Sequence, residues 1–166
     1  MPAEPRARVL LLCSSQVSSP AADPALRVAP LGLLYLSAFL ESRGYETRIL
    51  TIRVNAFQTG SAGCTEYRSR LAREIREFRP DVVGYSFRNL YRHDRPAAGR
   101  AELLDFFCLS RERPVITFVR GVSRAKIIGG GSALSLAPPL YLKYLELDYG
   151  IIGEGELAFE RLLAAM

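Results

Sequence analysis

At 166 residues, with 49% apolar and 23% charged side chains, the chain can bury one core without disulfides or metals and has the make-up of an ordinary globular domain. No run of roughly eighteen apolar residues occurs, which excludes a membrane-spanning helix from this sequence. The net charge of +5 comes from twenty arginines and two lysines. Arg68, Arg70, Arg73, Arg76 and Arg79 alternate with Glu66, Glu74 and Glu77, as on a solvated helix face, and no aromatic residues interleave with them; no nucleic-acid partner is expected.

The chain opens with RVLLLC (8–13), a near-continuous apolar run of the kind a strand covered on both faces shows. Its apolar part is too short for a secretory leader, so a cytoplasmic protein is expected. PLGLLYLSAFLESRG (30–44) follows as a helix, with Pro30 near its first position and Gly44 closing it. YETRILTI (45–52) alternates as a second strand. In the next segment Tyr67, Leu71, Ile75 and Phe78 share one helical face, with Thr65 as N-cap and Pro80 as a stop. DVVGYS (81–86) is a third strand, KIIGG (126–130) a fourth and YGIIG (149–153) a fifth. PPLYLKYLEL (138–147) is a helix begun by paired prolines, and residues 155–166 form a last helix.

RPVITFVRG (113–121) has the composition of a strand. A parallel sheet needs a crossover there, however, and Val115, Phe118, Val119 and Val122 fall at helical spacing, so a helix is expected. Residues 87–112 then become a long loop with a short helix at 101–107. Five strands separated by helices predict a doubly wound, Rossmann-like α/β sheet of five mainly parallel strands with helices on both faces. Such sheets bind ligands beyond the carboxyl ends of their strands.

The segments at those ends share one character. Ser14 and Ser15 begin a long small-residue loop after the first strand; Ser86, Arg88 and Asn89 follow the third; Gly129, Gly130, Gly131, Ser132 and Ser135 follow the fourth; Gly153, Glu154, Gly155 and Glu156 follow the fifth. The triple glycine fits neither phosphate motif: no Lys follows it as in a P-loop, and a dinucleotide fingerprint would stand after the first strand. Cys13, Cys64 and Cys108 have no metal-ligand spacing, and the sequence contains no C-x-x-x-C-x-x-C.

The strings PDVVGYSFRN, IIGGGSALSLAP and DYGIIGEGE, with the upstream VAPLGLLYLSAFLESRGYE, resemble the N-terminal cobalamin-binding domain of cobalamin-dependent radical SAM enzymes. The resemblance runs from about residue 9 to 163 and is weakest at 53–64 and 91–113. It implies that residues 1–166 are one cobalamin-binding domain, with a radical SAM catalytic domain, its 4Fe-4S cluster and S-adenosylmethionine in chain that follows. The parent implied is a methyltransferase acting on a small molecule or peptide in natural-product, lipid or cofactor biosynthesis. The corrin would lie over the carboxyl edge with its tail beside Gly129, Gly130 and Gly131. Ser132 and Ser135 would bond that tail, Gly153, Glu154 and Gly155 would flank its channel, and Ser14, Ser15 and the stretch from Val28 to Pro30 would touch the corrin rim.

One departure matters. The D-x-H-x-x-G motif of other cobalamin domains is absent, and the single histidine, His93, follows the third strand. A cofactor with its benzimidazole displaced and no histidine beneath cobalt is therefore implied, with Arg88 near the lower face as a cation that cannot become a ligand. Plainer readings stand beside these. Arg88 bonds a carboxylate or carbonyls at the strand end; His93 is an exposed loop residue; Glu154 and Glu156 supply charge at a helix start; Tyr141, Tyr144 and Cys13 are packing. Two other functions fit the same fold, a flavodoxin-like nucleotide, flavin or signalling module and a cofactor-free docking domain.

Overall fold

The computed structural model describes residues 4–15, 30–57, 64–88 and 109–166. Five strands form one sheet: β1 (Arg8–Ser15), β2 (Glu46–Arg53), β3 (Val82–Ser86), β4 (Lys126–Gly130) and β5 (Tyr149–Gly150). Their spatial order is β2-β1-β3-β4-β5 and every pairing is parallel. The chain winds outward from β1 in one direction and from β3 in the other, so the switch in strand order falls between β1 and β3. The helices are α1 (Leu31–Glu41), α2 (Cys64–Phe78), α3 (Leu109–Val122), α4 (Ser132–Leu136), α5 (Pro138–Leu145) and α6 (Glu156–Ala165), with a 3-10 turn at Val54–Phe57.

Alternation along the strands splits the core in two. Leu10, Leu12, Val83, Tyr85 and Ile127 pack against Leu71, Ile75 and Phe78 of α2, Val115, Ile116 and Val119 of α3, and Tyr141 and Leu145 of α5. Val9, Leu11, Cys13, Val82 and Ile128 pack on the opposite face against Leu33, Leu36 and Leu40 of α1 and Phe159 of α6. The doubly wound fold expected from the sequence is the fold observed.

Residues 113–121 are helical, within α3, although Pro114 sits inside the helix. Burial of Val115, Ile116 and Val119 on one face outweighs the strand propensity of that segment. Smaller expectations are corrected. Pro30 is the N-cap of α1 rather than a helical residue. Thr65 lies inside α2, which starts at Cys64. The fifth strand ends at Gly150, three residues early; Ile151 still donates to the Gly129 carbonyl (2.8 Å), and Gly153 at φ +80° turns the chain away. The short helix at 101–107, His93 and the loop after β1 lie outside the described residues.

Two aspartates fasten the amino edge in the same way. Asp81 accepts from the Arg8 N–H (2.8 Å) and Asp148 from the Ile127 N–H (2.8 Å), each capping the first free donor of a neighbouring strand. Burial works against the Asp148 charge, but the Ile127 N–H, Lys126 and Arg120 outweigh it and hold the carboxyl below its usual range.

Among the described residues one charged side chain lies in the core. Glu112 of α3, 3% exposed, accepts a short hydrogen bond from the Tyr85 hydroxyl. Burial pushes its carboxyl up to about 6, against the hydroxyls of Tyr85 and Ser14, which favour the ionised form. The Ser14 hydroxyl makes no hydrogen bond of good geometry. Burial, then the nearby Glu112 charge, pushes Tyr85 well above the ordinary tyrosine value, so Tyr85 stays the donor. A carboxyl with a raised folded value adds stability below its ordinary 4.5 and loses it as pH climbs through about 6. Unfolding free energies of wild type and Glu112→Gln, measured from pH 4 to 7, should therefore diverge. Wild type should lose about 2 kcal/mol relative to the variant across that window, and parallel curves would show that Glu112 does not titrate there.

Candidate cofactor-binding site

The three consecutive glycines have three different physical causes. A Cβ on Gly129 would lie 2.6 Å from Leu147 Cδ1, 2.7 Å from Leu134 Cδ1 and 3.0 Å from Phe87 Cε2, so its missing side chain is replaced by the protein's own core. Gly131 has φ +97°, and a Cβ there would collide with the Phe87 carbonyl oxygen. Among the described residues, Gly130 alone of the three meets nothing within 4 Å. The fold gives Gly129 and Gly131 causes of their own, packing and backbone approach, and among the described residues only Gly130 of the three has no near neighbour.

Phe87, which the sequence did not single out, explains the first two. Its N–H donates to the Gly130 carbonyl (2.8 Å), and its own carbonyl accepts from the Ala133 N–H (3.2 Å) at the start of α4. Its ring packs 4.7 Å from Tyr85 and 4.9 Å from Tyr141, centroid to centroid. The chain leaving β3 is thereby tied beneath the turn leaving β4. The only sequence signal was an aromatic residue between Ser86 and Arg88 where a polar loop was expected.

Ser135 is also used differently from the expectation. Its hydroxyl donates to the Gly131 carbonyl (3.1 Å) and accepts from the Gly153 N–H (3.1 Å), joining the turn after β4 to the turn after β5. Ser132 is exposed at the start of α4. Gly153 and Gly155 meet nothing within 4 Å, so this turn, like Gly130, presents bare backbone to open space. Glu154 is exposed beside them and Glu156 starts α6.

By alternation, Gly130 shares the α1/α6 face with Ile128 and, through the Ser86↔Gly130 pairing, with Ser86. Ser14 is on the other face: 5% exposed, it faces the Glu112 carboxyl beneath α3, not an open rim. Arg88, partly buried one residue beyond Phe87, has no hydrogen-bond or ion-pair partner among the described residues. Ser15 ends β1, and Pro30 accepts from the N–H groups of Leu33 and Leu34. Val28 and Asn89 lie outside the described residues. Cys13 and Tyr141 are buried and Tyr144 packs against the core, as expected.

Among the described residues no group of His, Cys, Asp or Glu could hold a metal ion, and no helix is long and apolar enough to cross a membrane. What gathers at this edge, among the described residues, is bare backbone at Gly130, Gly153 and Gly155, the half-exposed Ser86, and the Arg88 guanidinium without a described partner. Beside it, the outer side of α1 exposes Leu31 (61%) and Tyr35 (70%), an unusual expense of apolar surface. Such an edge suits a large, mostly apolar guest with a polar tail, because close backbone approach and donors are offered without a nucleophile.

Fold and edge together define a doubly wound α/β cofactor-binding module. The chain belongs to the B12-binding domain family, whose model matches residues 20–163. It is 27% identical over 132 residues to tryptophan 2-C-methyltransferase of Streptomyces laurentii, covering 78% of this chain and 19% of that protein. Among solved structures it is similar to TsrM of Kitasatospora setae, a radical S-adenosylmethionine methyltransferase whose structure is known with cobalamin and a 4Fe-4S cluster. The match to TsrM with tryptophan and a SAM analogue has TM-score 0.71 and 25% identity, over 96% of this chain and 25% of that one. OxsB, a cobalamin-dependent radical enzyme, shares the fold with TM-score 0.56 at 13% identity, over 96% of this chain and 18% of OxsB. The chain therefore spans about a fifth to a quarter of these relatives.

The glycine assignments predict opposite responses to a single methyl group. Gly129→Ala should cost about 1–3 kcal/mol in chemical denaturation through overpacking, whereas Gly130→Ala should stay within about 0.5 kcal/mol of wild type. Equal losses at both positions would remove the distinction.

Proposed function

We propose that this chain binds and positions cobalamin for a radical SAM enzyme, and that the tail of the cofactor runs over Gly130 on the α1/α6 face. The single observation that carries the reading is that no described residue comes within 4 Å of a Cβ at Gly130, between neighbours whose own lack of side chains is explained by the fold. Ser86 on the same face and the exposed Ser132 are the side chains placed to bond polar groups of the tail, and Gly153 and Gly155 flank it with bare backbone. Ser135 acts indirectly by fixing Gly153 against Gly131.

Cobalamin bound here would supply a cobalt centre able to carry a methyl group. The chain's residues bind and orient it, through bare backbone and the hydroxyl groups named above. The sequence lacks the D-x-H-x-x-G motif that would supply a histidine beneath cobalt, and the likeness to radical SAM cobalamin domains favours a cofactor that would bind with its benzimidazole displaced. Arg88, next to Phe87 and without an ion-pair partner among the described residues, would bring a permanent positive charge to the lower face and so discourage a lower ligand. The apolar outer side of α1, with Leu31, Leu34 and Tyr35, is where a following catalytic domain packs. That domain would hold the cluster and S-adenosylmethionine, and the parent would methylate a small molecule or peptide, as the names of the TsrM relatives suggest.

The test is optical. The purified chain is incubated with hydroxocobalamin, desalted, and its visible spectrum recorded. Wild type should keep a shifted corrin absorbance, and Gly130→Val should lose it while its far-UV dichroism stays near wild type. A colourless wild type would favour the cofactor-free docking domain, and an unfolded Gly130→Val would return that glycine to the fold. Arg88→Ala should alter the spectrum or the reduction of the bound cobalt more than the affinity; an unchanged spectrum would move Arg88 away from the metal.

A further inference from the structure

The amino edge of the sheet, opposite the proposed cofactor site, carries a cleft of about 470 Å³ lined by Arg8, Arg73, Arg76, Arg79 and Glu77. Arg8 begins β1, Arg73 and Arg76 lie one turn apart on α2, and Arg79 follows the end of that helix. Four arginines from two elements thus surround one space with a single carboxylate in the lining. Arg8 pairs with Glu46 at 3.1 Å, and Arg73 reaches Glu77 only at 4.0 Å, with both side chains mostly exposed. Arg76 and Arg79 have no ion-pair partner among the described residues.

Arg79 has φ +50°, in the left-handed region, and its N–H closes the last turn of α2 on the Ile75 carbonyl (2.9 Å). Glycine is the usual residue at that position, because a Cβ makes the conformation costly, and Pro80 follows directly. A side chain is kept where its absence would be easier, and that side chain lines the cleft. Glu146 at the end of α5 has the same left-handed conformation, with φ +56°, so this conformation closes helices in this fold, and it is the position of the Arg79 side chain in the cleft lining that bears on binding.

From this geometry we infer a second binding site, at the amino edge, for an oligophosphate group, either free or carried by a nucleotide. A guanidinium presents a planar fork of donors that matches phosphate oxygens two at a time. Four guanidinium groups around one shallow, open space offer more forks than a single phosphate can engage, which favours a chain of linked phosphates. The site is independent of the cobalamin reading and faces the other end of the sheet.

The test uses the 166-residue chain and isothermal titration calorimetry with sodium tripolyphosphate and with ATP. Wild type should bind one tripolyphosphate, and Arg76→Ala and Arg79→Gly should each weaken it about tenfold or more, as expected for a lost charge-assisted contact. ATP binding as tightly as tripolyphosphate assigns the site to the phosphates alone, and tighter binding of ATP assigns it to a nucleotide. Arg79→Gly should at the same time raise Tm by about 2–4 °C as the left-handed strain is relieved. That combination of weaker binding and higher stability is one a purely structural arginine would not give. No binding of either probe by wild type, unchanged affinity in both variants, a lower Tm in Arg79→Gly, or binding confined to long nucleic acid would each overturn the inference. Retention of hydroxocobalamin by the same variants separates this outcome from any failure of the carboxyl edge.

Discussion

The arrangement of the carboxyl edge depends on one close approach, the main chain of Gly131 lying against the carbonyl of Phe87. Both sides of Phe87 are then engaged, its N–H to Gly130 and its carbonyl to Ala133. A residue with a Cβ at 131 would push the turn after β4 off the end of β3. The phenyl ring below fills the space that Gly129 leaves and packs between Tyr85 and Tyr141. Gly130 is held rigid between these two fixed neighbours with its open side turned to the other face. Ser135 extends the same contact to Gly153, so the bare turns after β4 and β5 are joined through one hydroxyl.

The two ends of the sheet are built on different rules. At the amino end, Asp81 and Asp148 satisfy the free donors where strands begin, and arginines crowd the cleft beneath α2. Exposed ion pairs there contribute little, but the partly buried Asp148 with its backbone donor ties α3, β4 and β5 together. At the carboxyl end, among the described residues, charge is sparse and the backbone is left uncovered. A doubly wound sheet separates a fastened end from a receptive one, and this chain carries the separation in its residue types.

Much of this was legible in the sequence. The parallel sheet followed from apolar runs between amphipathic segments, and the need for a crossover overruled strand propensity at 113–121. The carboxyl edge was legible because small and polar residues recur after successive strands. What was hidden depends on side-chain direction. Spacing alone does not say that Ser14 points under α3 toward Glu112 while Ser86 points to the opposite face. Nor does a run of glycines say which of them a neighbour fills; Leu134, Leu147 and Phe87 come from three separate segments to decide it. The helix α4 was missed because five residues are too few for a periodic pattern. The early end of β5 follows from the left-handed turn at Gly153, a conformation glycine permits without announcing.

Hydrogen–deuterium exchange on the chain with and without hydroxocobalamin tests most directly whether the Gly130 side of the sheet receives the cofactor. The account predicts added protection in the turns containing Gly130 and Gly153–Gly155 and at the start of α1, with the α2 and α3 side of the core unchanged. Protection centred instead on the Phe87, α4 and α5 side, or an exchange pattern indifferent to the corrinoid, would contradict it.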